Sequence, residues 1–364
     1  MNKISICTVC MNRLPYLRQT LPVNISENLH YPQIEFIVLD YNSKDDMENW
    51  IRLNMSYHLE SGVLKYYKTY EPAHFLLSHS KNMAMRLASN DIVCMVDADN
   101  YAGPDYAGWI NTAYNSTGKD RVITTLRRDD IPHRDQGGKL AFHRDFLYAA
   151  KGFDEALIGY GFEDIDLVNR LEQLGCQRMF IEDMEYLKYI SHSDEERVKN
   201  FHLINNLQTL YMRISGPINI QNRVMYLLKD NTYFDMFYEF DETLNTNPIL
   251  SYSGWVLNES DSQKGRFKRE PGVLSLASNN GTQQIYKEDS RGALISIGKG
   301  EPSVWKQIGE DNKLFTRLLL AFGECFNRVK SRKNENDLNS VNHTGWGKGT
   351  VYLNFDRQSP IHIN

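Results

Sequence analysis

The stretch Asp91-Ile92-Val93-Cys94-Met95-Val96-Asp97-Ala98-Asp99-Asn100 constrains the chain more than any other. The apolar run Ile92 to Val96 reads as a buried strand of a parallel sheet. It stops at two carboxylates with one residue between them. Side chains alternate along a strand, so Asp97 and Asp99 are expected to share a face. The carboxyl end of a buried strand is where an open α/β sheet holds a ligand. Hard carboxylate oxygens suit Mg²⁺ or Mn²⁺, and such an ion would hold a diphosphate and neutralise it as it leaves. Taken alone, a D-x-D reads equally well as a solvated acidic turn. The remaining sequence decides between the two.

Three further runs lead up to this one. Ile4 to Val9 is a first strand, Ile34 to Leu39 a second that closes on Asp40, and Val63 to Tyr67 a short third. Helices are expected at Tyr16–Asn24, Met47–Leu53 and Ser78–Ala88. Strand and helix alternating at this spacing argue an α/β domain, a mostly parallel sheet flanked by helices. Beyond it, Tyr106–Tyr114 is helical, Val122–Leu126 and Leu140–His143 are strands, and the polar run 127–138 is a loop. Leu167, Val168, Leu171 and Leu174 have helical spacing, and Gly175 suits the position after the helix end. Glu163 and Asp164 therefore sit at a helix N-terminus, where free N–H groups and the dipole favour carboxylates. Residues 195–213 are expected to be helical, and Gly216-Pro217 is a domain boundary. Residues 216–364 read as a strand-rich accessory region with one amphipathic helix at 312–328 and a solvated charged linker at 330–339.

Composition narrows the function classes. With 41% hydrophobic and 24% charged residues among 364, the chain is that of a folded soluble protein. Its net charge of −5 gives no overall basic footprint for nucleic acid. No apolar run approaches the roughly 20 residues of a membrane span. The N-terminus enters a strand at once, without a signal-peptide core. The five cysteines are scattered and odd in number, which argues against a disulfide framework and for a reduced cytoplasm. Cys7 and Cys10 form a C-x-x-C with no second ligand pair, so they read as buried thiols.

Three features belong together: the D-x-D at Asp97 and Asp99, the turn Gly159-Tyr160-Gly161-Phe162-Glu163-Asp164, and His192, 28 residues after Asp164. This set resembles the GT-A nucleotide-diphosphate-sugar glycosyltransferases of family 2, with a second half like the galactosyltransferase and chondroitin-polymerase branch. Cys10-Met11-Asn12-Arg13 and Leu39-Asp40-Tyr41-Asn42-Ser43-Lys44-Asp45 look like that family's first and second strand ends. The resemblance covers roughly residues 1–215. It implies Asp99 and His192 as ligands of Mn²⁺ or Mg²⁺, and Asp97 near the ribose or behind the metal. It further implies Thr8, Arg13 and Asp40 around the nucleotide, Glu163 toward the donor sugar, Asp164 as catalytic base and Tyr160 as acceptor-stacking residue. Tyr160 stands where that branch often has Trp, and Phe162 where it commonly has Gly.

Sugar transfer needs a stabilised leaving diphosphate and a base across the anomeric carbon. One carboxylate apart from the metal pair suits inversion. The expected activity is transfer from a nucleoside-diphosphate sugar, a UDP-sugar, to a glycan or other hydroxyl acceptor in surface polysaccharide synthesis. The expected place is the cytoplasm, peripheral at the inner membrane face. The rival expectation is a carbohydrate-binding or scaffold protein that kept the fold and lost turnover, with Trp255, Trp305 and Trp346 supplying its surface.

Overall fold

The computed structural model describes residues 1–125, 138–215, 221–239, 263–298, 303–311 and 313–364. The expected 127–138 loop, apart from Gly138, together with the Gly216-Pro217 boundary and Trp255, lies outside them. The chain begins β1 (Ile4–Cys10), α1 (Leu14–Ser26), β2 (Ile34–Tyr41), α2 (Met47–Asn54), α3 (Ser56–Glu60), β3 (Leu64–Thr69) and α4 (Leu77–Leu87). It continues with β4 (Ile92–Val96), α5 (Tyr106–Thr117), β5 (Arg121–Thr124), β6 (Lys139–His143), α6 (Arg144–Ala149), α7 (Glu163–Gln173) and β7 (Gln177–Phe180). Two short helices follow, α8 (Asp194–Val198) and α9 (His202–Asn206). Then come β8 (Leu207–Ser215), β9 (Gln221–Leu228), β10 (Thr232–Glu239), β11 (Gln263–Glu270) and β12 (Val273–Ser278). Last are β13 (Gln283–Glu288), β14 (Leu294–Ile297), β15 (Val304–Ile308), α10 (Lys313–Asn336), β16 (Gly349–Leu353) and β17 (Pro360–Ile363).

One compact unit joins Met1–Ser193 to Lys330–Asn364, and a second spans Asp194–Val329. The first is built on a nine-stranded sheet in the order β17-β16-β3-β2-β1-β4-β6-β5-β7. Its centre, β3-β2-β1-β4, is parallel. Antiparallel β6 flanks it on one side and β16 on the other. All seven residues of β1 and all five of β4 are buried, as strands covered on both faces must be. Ile4, Ile6, Cys94 and Val96 enter the core on one face, and Cys7, Val9, Val93 and Met95 the core on the other. The second unit is a closed barrel in which β8 to β15 pair with their sequence neighbours and β15 returns to β8. Tyr211, Met225, Phe267, Leu276, Tyr286 and Trp305 fill its core.

These units differ from the expected split into 1–215 and 216–364 at both ends. Of the run 195–213 expected as helix, residues 207–213 belong to strand β8, because their backbone pairs with β9 and β15. The run 330–339, expected as a solvated linker, continues α10 to Asn336, and Asn334 is fully buried. Beyond it, β16 pairs with β3 and extends the sheet, with Tyr352 opposite Lys68.

Candidate active site

The order β3-β2-β1-β4 reverses its direction of growth at β1, so a crevice opens beyond the carboxyl ends of β1 and β4. Arg13 leaves the end of β1, and Asp97 and Asp99 leave the end of β4. The Thr8 hydroxyl donates to the Val96 carbonyl at 2.9 Å and ties the two strand ends together. The chain turns at once after Val96, with the Asn100 N–H donating to the Asp97 carbonyl at 2.9 Å. The two carboxylates therefore take different partners instead of sharing one face.

Asp99 meets His192. The Asp99 Oδ2 and the His192 Nε2 are 2.9 Å apart, across 93 positions of sequence. Backbone bonds bring them together: the Ile190 N–H donates to the Asp99 carbonyl at 2.8 Å, and the Tyr101 N–H to the Lys188 carbonyl at 3.1 Å. Arg13 lies 3.6 Å from the same oxygen, and the Asn100 amide donates to the other at 2.9 Å. Burial works to raise the Asp99 carboxyl pKa, but His192 and Arg13 outweigh it and hold it below the ordinary value. The Tyr16 ring stands edge-on to the imidazole at 5.8 Å.

This pair fits a divalent cation. Two ligands on neighbouring corners of an octahedron with bonds of about 2.1 Å lie about 3 Å apart. The His192 Nδ1 is 3.3 Å from the Ser193 carbonyl oxygen and can keep a proton there, so a cation would displace only the proton shared between Nε2 and Asp99. A carboxylate beside an imidazole suits Mn²⁺ better than Mg²⁺, which favours oxygen alone. Among the described residues no group of three His, Cys, Asp or Glu forms a metal cage. A cation on Asp99 and His192 would complete its shell with water and diphosphate oxygens.

A second cluster lies on the face that carries Met95. Lys81 of α4 is buried to 1% exposure, its Nζ 2.9 Å from Asp164 Oδ1 and 3.3 Å from Glu163 Oε1. Burial alone would lower the lysine pKa, but Asp164, Asp97 and Glu163 together raise it well above the ordinary value. One ammonium cannot balance three carboxylates. Burial first, then Glu163 and Asp97, push Asp164 up to about 8 against the pull of Lys81. Burial, with Asp99 and Glu163, pushes Asp97 up to about 6. Gly138, next to β6, is pressed onto this cluster: a Cβ there would lie 2.0 Å from Asp97 Oδ2.

Asp164 stands in the first turn of α7, which no side chain caps. Phe162 before it has φ +68°, the left-handed conformation that glycine adopts without strain. This is the position where glycine is common in the branch that the sequence resembles. Tyr160 is half-buried between Gly159 and Gly161, both at positive φ. Asp40 is fully buried. It accepts from Ser43 N–H at 2.7 Å, Tyr66 OH at 2.5 Å and Lys68 Nζ at 3.0 Å, and so shapes the 40–45 loop. Sequence reasoning assigns no role to Gly138 and reads the helix of Lys81 as structural, with Lys81 or Asn82 as candidates to face the donor. Lys81 carried one cue, a charged residue inside a run of α4 that is otherwise suited to burial.

Residues 130–195 match the family described as the N-terminal domain of galactosyltransferase. No curated protein matches the chain. Similar solved structures include the mannosyltransferase PcManGT from Pyrobaculum calidifontis in complex with GDP-Man and Mn²⁺. It is 19% identical, over 52% of this chain and 57% of that one, with a TM-score of 0.44. TarS 1-349 of S. aureus in complex with UDP is 16% identical over 53% and 62%, with a TM-score of 0.43. Glucosyl-3-phosphoglycerate synthase from Mycobacterium tuberculosis, with Mn²⁺ and UDP-glucose, is 17% identical over 54% and 74%, with a TM-score of 0.38. The chain thus spans about three-fifths of the length of the first two.

Proposed function

We propose that this chain is an inverting, metal-dependent glycosyltransferase of the GT-A type. It moves a sugar from a nucleoside-diphosphate sugar, a UDP-sugar, to a hydroxyl of a glycan or similar acceptor. The observation that carries the reading is the meeting of Asp99 and His192 at 2.9 Å beyond the end of β4, while Asp97 of the same strand end shares the charge of Lys81 with Asp164. Asp99 and His192 hold the cation, which would supply positive charge to the departing diphosphate. Arg13 adds a fixed charge on the same side.

Asp164 takes the proton of the acceptor hydroxyl. The hydroxyl oxygen bonds to the anomeric carbon as the bond from that carbon to the diphosphate oxygen breaks. A single displacement inverts the configuration, so an α-linked donor gives a β-linked product. A carboxyl pushed up to about 8 is a far stronger base than an ordinary one and still ionises near neutral pH. Glu163 faces the donor sugar, and Tyr160 offers its ring to the acceptor. Asp97 sits behind the metal site, while Thr8 and Asp40 hold the strand end and loop around the nucleotide. In this reading the product is a surface polysaccharide, made on the cytoplasmic side. No helix among the described residues is long and apolar enough to cross a membrane.

The test is nucleotide release by the full chain with Mn²⁺ and a panel of UDP-sugars. Release that needs metal and drops about 10²–10⁴-fold in Asp164→Asn is expected. No release with any donor, with no Mn²⁺-dependent UDP binding, overturns the reading. Glycan binding without that UDP affinity would favour the non-enzymatic alternative.

A further inference from the structure

The end of α10 lies along one face of the helix that carries Asp164. Asn334 is fully buried. Its amide donates to Asp166 Oδ1 at 2.8 Å and to Asp154 Oδ2 at 2.8 Å. The next residue, Glu335, accepts from Asn169 Nδ2 through its carboxylate at 2.9 Å and from Gln173 Nε2 through its backbone carbonyl at 3.0 Å. Asp166, Asn169 and Gln173 are three and four residues apart, so one stripe of α7 is gripped along its length. Asp166 is also held by Arg170, whose guanidinium reaches the Ala150 and Gly152 carbonyls. Asp154 is fixed further by Lys330 at 3.7 Å and by the Ala156 N–H at 2.9 Å.

We infer that Asn334 is a positioning residue for the catalytic base, setting the first turn of α7 through Asp166. The inference rests on the proposed role of Asp164. Two facts favour positioning over simple packing. The N-cap residue Phe162 offers no side-chain cap, and the first turn of α7 takes tertiary contacts instead, Lys81 on Glu163 and Asp164 and Asn334 on Asp166. And Asn334 gives both amide hydrogens to carboxylates while its own buried oxygen has no partner, an arrangement that bare packing would not select. Neither bond involves a residue placed on the metal or in contact with the acceptor.

The experiment compares the full chain with Asn334→Ala, Asn334→Ser and Glu335→Ala, by amide hydrogen exchange and by steady-state nucleotide release. In Asn334→Ala the α7 amides from Asp166 onward, the first of which donates to the Phe162 carbonyl, should exchange about tenfold faster or more. The kcat should fall about 10–100-fold, the cost of an ångström-scale misplacement. The donor KM should stay within about twofold, since ground-state donor binding does not use this residue. Asn334→Ser keeps one donor and should fall between; it carries the test if the alanine variant does not fold. Glu335→Ala removes only the Asn169 contact, since Gln173 bonds the backbone carbonyl, and should leave kcat within about twofold. Unchanged exchange and kcat in Asn334→Ala, or equal losses in Glu335→Ala, overturn the inference. If the native chain releases no nucleotide, the proposed function falls and the exchange comparison alone decides whether Asn334 sets α7.

Discussion

Two side chains, Lys81 and His192, each hold a carboxylate that the proposed reaction needs, and they should fail in different ways. Lys81→Met leaves Glu163 and Asp164 without their cation in a nearly closed space. Breaking a buried pair by removing one partner costs about 3–5 kcal/mol, which a urea unfolding curve would show. The acid limb of the rate profile should also move. Asp164 works as a base when deprotonated, so the rate rises with pH through its pKa, placed at about 8. Lys81 pulls that pKa down, so its removal should carry the midpoint to higher pH. A midpoint that stays put, or moves to lower pH, would mean that Asp164 is not the titrating base. His192→Ala should leave this profile where it is and act on the metal instead. Loss of an outer partner already costs about 10–100-fold in metal affinity, so the Mn²⁺ needed for half-maximal release should rise at least tenfold.

At the scale of elements, Gly138 offers a sharper test than any ligand. It adjoins β6 without a positive φ, so alanine suits its backbone, yet a Cβ would sit 2.0 Å from Asp97 Oδ2. Gly138→Ala should displace that carboxylate at an overpacking cost of about 1–3 kcal/mol, with nucleotide release falling while the barrel's amide exchange is unchanged. The same scale explains what could be read from the sequence. Strands β1, β2 and β4 were legible because they are covered on both faces and so are nearly unbroken apolar runs. Strand β11 of the barrel buries one face only, with Gly265 and Phe267 inside between exposed neighbours, a pattern too weak to mark a boundary. Residues 207–213 carry no local mark against helix, and their pairing with β9 and β15 decides for strand. The tail of α10 was missed for another reason. Its buried stripe, Asn327, Ser331 and Asn334, has helical spacing but is polar, so hydrophobic periodicity is blind to it. The D-x-D was legible as a motif, whereas its geometry was not. The turn at Asn100 separates Asp97 toward Lys81 from Asp99 toward His192, and no period-2 rule contains that turn.

For the whole molecule, the sheet unit is discontinuous in sequence, and that has a measurable consequence. Residues 330–364 supply the antiparallel edge of the sheet as well as the Asn334 contact. Trp346, Val351 and Ile363 belong to the core on the α4 and α7 side of the sheet. Each such side chain contributes about 1.5–3 kcal/mol when fully buried, and a whole domain is stable by only about 5–15 kcal/mol. A chain ended at residue 215, where the sequence suggested a boundary, would lose all three. It would leave β3 an open edge and strand Leu207–Ser215 without either barrel neighbour, a template for association. We expect residues 1–215 alone to show no cooperative urea transition by circular dichroism, and the full chain to show one. The parallel centre β3-β2-β1-β4 is present in both, so a cooperative transition in the short chain, within about 2 kcal/mol of the full one, would show that this centre suffices and that the C-terminal return serves to hold α7 rather than the fold.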